Sequence, residues 1–206
     1  MRQRPPVIVQ KPQALAVTVD EVRAAVRVPA GTTDERLQSL IETATARFDG
    51  YSGRLGRALI HQTWRRDFPY GCGAMRLPFP DVVDATGVWI DAAGQERPAA
   101  VYVDEDVIGP FVRLASGWHG GAGVVLRVTF KAGYGAAPED VPGPIREAIC
   151  KRVGQLLLEG SEDGQLRSYS VEGAFSEAYN SPEQRAAEVE RSINDLVKDY
   201  RRGNVL

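Results

Sequence analysis

Apolar residues recur after Leu37 at Leu40, Ile41, Ala44, Phe48 and Tyr51. This spacing of three and four predicts a helix over residues 34–50 with one buried face, capped by Thr33 or Asp34. Thr18 or Asp20 can cap a shorter helix running to about Val26, and VPAGTT turns the chain between the two. At ALIHQTWRRDFP the period changes to two, which predicts a strand. Residues 82–91, 100–104, 111–115 and 124–130 repeat that alternation between turns such as DAAG and DEDVIG. Short strands so spaced predict a small antiparallel sheet or sandwich.

The helical period returns after Pro142 and Pro144, which sit where a missing backbone amide costs nothing. Ile145, Ala148, Ile149, Val153, Leu156 and Leu157 form the apolar stripe of a helix expected to pack on the one at 34–50. Residues 159–181 are rich in Gly, Ser and acidic groups and read as a linker. From Ser181 a capping sequence with Pro182 and Gln184 opens a last helix. Its stripe is Ala186, Val189, Ile193, Leu196 and Tyr200, narrow enough for a groove or a neighbouring helix. Such a helix either folds back on its own core or docks in a partner, and a partner burying four of these side chains would gain about 1.5–3 kcal/mol from each before ordering costs.

Composition narrows the function. The chain has 206 residues, enough for one domain with an appendage, and 25 basic against 27 acidic residues give a net charge of -2. That balance supplies no global attraction to nucleic acid or membranes. Cys72 and Cys150 are too few for a disulfide framework and read as reduced thiols. The amino terminus, MRQRPPVIVQKP, is interrupted by Pro5 and Pro6 and lacks a cleavage site, so residues 1–17 read as a flexible arm. No run approaches the ~18 apolar residues of a membrane-spanning helix.

Candidate chemistry is sparse. His61 and His119 stand far apart with no ligand spacing around them. WHGGAG, at residues 118–123, faintly matches a Gly-rich oxyanion loop, yet no G-x-S-x-G supplies a nucleophile, so a hairpin loop is preferred. Asp104, Glu105 and Asp106 lack the spacing of a calcium loop and read as a solvated hairpin tip. Neither common phosphate-cradling motif occurs. The expectation is no catalytic residue, no metal and no cofactor.

Three segments taken in order, LIETATARFDGYSGRLGRALIHQTW, MRLPFPDVVDATGVWID, and VTFKAGYG with VPGPIREAI, resemble the head–tail connector (adaptor) family of long-tailed phages and phage-derived gene transfer agents. The resemblance covers about residues 18–158 and rests on Leu77-Pro78 with Pro80, the Gly133-Tyr134-Gly135 turn, and the Val141-Pro142 helix start. It implies an α+β fold: a small helical bundle with an inserted antiparallel β-rich segment at about 57–134, followed here by a linker and a C-terminal amphipathic helix over 182–206. It also implies a ring of about a dozen copies bound to the portal protein, contacting a stopper or other tail-neck proteins. The particle neck would be its location, after synthesis in the host cytoplasm.

DNA would pass through the ring without specific binding, since each neutralised phosphate adds drag. The stripe Ala186, Val189, Ile193, Leu196 and Tyr200 becomes the candidate portal contact. Leu37, Ile41, Phe48, Ile145, Ile149 and Val153 become candidates for the core or the subunit interface. A stopper or tail terminator is the first rival reading, and a small hydrolase using the His119 loop the second.

Overall fold

Alternating strands and amphipathic helices give an α+β fold in the computed structural model, which describes residues 4–69, 75–115, 121, 123–159, 168–171, 175–178 and 182–202. The chain divides into two compact units, one of residues 1–14, 48–141 and 201–206 and the other of residues 15–47 and 142–200.

In the first unit the described strands pair antiparallel throughout. Strands β1 (Val7–Gln10), β2 (Gln62–Pro69), β4 (Val82–Ile90), β5 (Glu96–Ala99) and β8 (Val125–Ala132) form a sheet in the order β1-β2-β8-β4-β5, while β3 (Met75–Arg76), β6 (Val101–Asp106) and β7 (Gly109–Leu114) form another in the order β3-β7-β6. The centre of the larger sheet is β8, because its alternate residues Leu126, Val128, Phe130 and Ala132 are all buried. They meet Trp64 and Phe68 of β2, Val112 of β7, and Leu77 and Phe79 in one apolar cluster between the sheets. The Trp64 and Phe79 rings pack tilted, 4.8 Å between centroids. Gly87 of β4 lets the smaller sheet approach closely, since a Cβ there would lie 2.6 Å from a Val101 methyl.

The second unit holds helices α1 (Val19–Ala25), α2 (Asp34–Ala46), α3 (Gly143–Glu159) and α4 (Pro182–Val197), with a 3₁₀ turn at Lys198–Tyr200. Thr18 caps α1 in a full capping box: its hydroxyl accepts from the Glu21 amide at 3.1 Å, and the Glu21 carboxylate accepts from the Thr18 amide at 3.0 Å. Glu21 also pairs with Arg146 of α3. Thr33 caps α2, and the Pro142 carbonyl accepts from Ile145 and Arg146 as α3 begins. Each of the other helices packs on α3. Gly154 makes room for one such contact, because a Cβ there would sit 3.1 Å from a methyl of Val26.

Three elements differ from the sequence reading. First, α2 ends at Ala46 rather than near residue 50. Phe48 is still fully buried, but in the first unit, and Tyr51 is half exposed. The helix stops because Asp49 turns its carboxylate onto the Leu59 amide (2.7 Å) and the Gln62 side-chain amide (2.9 Å), while Gly50 at φ +80° closes a loop onto Arg57. Second, the amino-terminal arm contributes β1, paired with β2 along Val7 to Gln10. Third, β9 (Ser168–Val171) and β10 (Phe175–Ala178) form an antiparallel pair inside the stretch read as a linker. The remainder of that stretch, together with Cys72, His119 and the capping Ser181, lies outside the described residues.

Candidate interaction surface

Helix α4 carries the stripe that the sequence offers to a partner, and it packs on α3 of its own chain. Ile193 is fully buried there, as is Val197, four residues on. Ala186, Val189, Leu196 and Tyr200 are each half-buried. The inward row is thus Val189, Ile193 and Val197 rather than the strict three-four alternation through Leu196 and Tyr200. Val197 is legible as the i+4 neighbour of Ile193, but Leu196 competes with it for the same turn. Glu190 on α4 pairs with Arg47 at the end of α2, 2.8 Å apart.

Leu37, Ile41, Ile145, Ile149 and Val153 are fully buried within the second unit, and Phe48 within the first. Their side chains are covered by the rest of the chain.

The first half of α4 diverges from α3 and opens an apolar groove of about 410 Å³, with the end of α1 as its third wall. Val26, Leu158, Ala186 and Val189 supply its apolar surface, so two residues of the sequence-read stripe, Ala186 and Val189, meet here. Arg27, Lys151 and Arg185 border it. Among the described residues the one carboxylate at the border, Glu159, is paired with Arg152. The groove is therefore apolar within and positive at its rim. Its volume falls in the range of about 300–1,000 Å³ that suits recognition of a compact group.

A second surface has the opposite character. The turn between β6 and β7 carries Val107 fully exposed and Ile108 about two-fifths exposed, directly after Asp104, Glu105 and Asp106. This hairpin tip is held in one shape. Arg76 grips Asp106 through two bonds of 2.6 and 2.7 Å, and the Asp106 carboxylate accepts from the Ile108 amide at 2.9 Å. The Arg76 guanidinium holds the Asp106 carboxyl at about 2, below the ordinary 3.8.

Arg76 belongs to a group with Arg57, Arg66 and Arg202. The Arg202 guanidinium donates to the Leu77 carbonyl at 3.1 Å, and its pKa is lowered by burial first and then by the other three arginines. Arg57 pairs with Asp81 and Arg76 with Asp106.

Among the described residues, those considered for chemistry form no cluster. His61 has its pKa lowered by burial and by Lys131, and no cluster of His, Cys, Asp and Glu suited to a metal exists among the described residues. Cys150 is buried in α3, and desolvation raises its thiol to about 11, so it is unreactive at neutral pH. None of the described helices is long and apolar enough to cross a membrane.

The two-sheet unit with its helical companion is a fold found in a component of virus-like particles. Similar solved chains occur in the virion of a native gene transfer agent particle (23% identity, TM-score 0.68) and in the neck of an empty particle computed with sixfold symmetry (23%, 0.68). Another occurs in the neck of a native particle computed with twelvefold symmetry (22%, 0.68). Each match covers 98% of this chain and 98% of the other. No family model and no curated protein matches the sequence.

Proposed function

We propose that this chain is a structural head–tail adaptor, one subunit of a homo-oligomeric ring in the neck of a phage-like particle. The observation that carries the reading is the end-to-end likeness of fold: 98% of both chains superpose for a protein of a gene transfer agent neck. The sixfold and twelvefold symmetries of those necks favour a ring of about a dozen copies. The subunit binds the portal on its capsid side, meets a stopper or other tail-neck protein on the far side, and lets DNA pass. A net charge of -2 suits a channel that must not hold phosphates. The role is non-enzymatic.

The portal contact is assigned to α4, through its solvent-facing side and the half-buried Leu196 and Tyr200. Cutting the chain before α4 would also uncover the surface of α3 that Ile193 and Val197 cover, so charge reversal at exposed positions is the cleaner probe. The purified chain and its Glu188→Arg/Asp195→Arg variant are tested for co-migration with the portal ring from the same gene cluster. Wild type is expected to co-migrate and the variant to dissociate while keeping its helical content. A chain that ignores the portal but binds the stopper or tail tube is a tail-side neck protein instead.

A further inference from the structure

The groove is rimmed by Arg27, Lys151 and Arg185, and the hairpin tip presents the exposed Val107 beside Glu105, so the two match in apolar character and in the sign of their charge. We propose that the β6–β7 tip of one copy, led by Val107, seats in the α1–α3–α4 groove of a neighbouring copy and forms the repeating contact of the ring. The inference rests on the ring reading above and names the surfaces that build it.

Three observations support it. Val107 stands fully in solvent at the apex of a turn, where polar residues normally sit, and Ile108 beside it is also exposed. An exposed apolar apex on a turn already fixed by Arg76 and the Ile108 amide is preorganised, so docking costs little ordering entropy. The charges then match. Glu105 on the tip makes no ion pair among the described residues, and neither do Arg27 and Arg185 on the groove. Lys151 is held only by the adjacent Glu147 of its own helix, at 3.4 Å. Apolar contact at the centre with a ring of opposite charges outside is the anatomy of a specific protein interface.

The symmetry follows from the surfaces. The tip and the groove are different patches of one chain, so a head-to-tail contact between them can be repeated around an axis and, where the rotation closes, builds a ring.

The test uses two single-site variants, Val107→Cys and Val189→Cys, each with Cys72→Ser and with the buried Cys150 left in place. They are combined in assembled necks and treated with a short bis-maleimide. Covalent dimers are expected from the mixture and from neither variant alone. Arg185→Glu is expected to lower the yield about fivefold, and Glu105→Arg on the other copy to restore it. Necks that contain both variants yet give no mixed dimer overturn this contact and leave the ring reading standing. Necks that never take up the wild-type chain overturn the ring reading itself.

Discussion

Gly133 shows how much a single position can fix. Its φ of +137° is closed to most side chains, and a Cβ there would come within 2.7 Å of the Ile60 carbonyl group. The close approach has a purpose: Tyr134 donates its amide to Leu59 (3.1 Å), His61 donates to Gly135 (2.7 Å), and the Tyr134 hydroxyl meets Arg57. Gly133→Ala is expected to destabilise the chain by about 1–3 kcal/mol, read as a lowered denaturant midpoint. The glycine-aromatic-glycine motif was legible in the sequence as a turn. Its contact with residues 59–61 was not, because nothing local joins positions some seventy residues apart.

Asp49 is the second such residue. Burial raises its pKa, outweighing the bonds from Gln62, Leu59 and Gly50 that lower it. A carboxyl whose folded pKa lies above its unfolded value adds stability below the unfolded pKa, and that increment is lost as pH rises through the folded value. Asp49→Asn is therefore expected to flatten the acid-side stability profile while keeping an acceptor for the Leu59 amide. Asp49→Ala leaves that amide and Gln62 without their acceptor, a loss of about 1–3 kcal/mol at neutral pH. Parallel urea titrations at several pH values distinguish the two.

Among the elements, periodicity was readable wherever one face alone is buried. The alternation of β8 and the stripes of α2 and α3 follow directly from the sequence, since partner and solvent faces differ in every turn. It misled at the end of α2, where Phe48 continues the three-four rhythm but is buried in the other unit. It was silent for β1, whose four residues are all exposed and so carry no alternation. In α4 the stripe was visible, yet Ile193 and Val197 face α3, which a pattern alone does not distinguish from a partner. Ile193→Ala should cost about 2–5 kcal/mol of stability, as expected for emptying a fully buried site. Thr18→Ala, removing the hydroxyl that accepts from the Glu21 amide while the Thr18 backbone amide still donates to the Glu21 carboxylate, should cost about 1 kcal/mol. Chemical denaturation monitored by far-UV circular dichroism tests both.

For the whole molecule, the acidity of the hairpin tip makes a prediction about assembly. Asp106 ionises at about 2, so the Arg76 pair that shapes the tip is fully present above the usual 3.8 and lost as pH falls towards 2. The protection factors of the Ile108 and Gly109 amides, corrected for intrinsic exchange at each pH, are expected to fall over that window while those of β8 do not. Rings joined through this tip would then loosen in acid before the subunits unfold.

The order in which the pieces of the two units occur along the chain has a final consequence. The first unit draws on residues 1–14, 48–141 and 201–206, and Arg202 donates to the Leu55 and Leu77 carbonyls. The second likewise needs α4 to cover α3. A growing polypeptide therefore has no point at which one half can be finished and set aside while the ribosome makes the rest. Both halves wait for the segment around residue 200, and the folded chain becomes available only once that segment has been made.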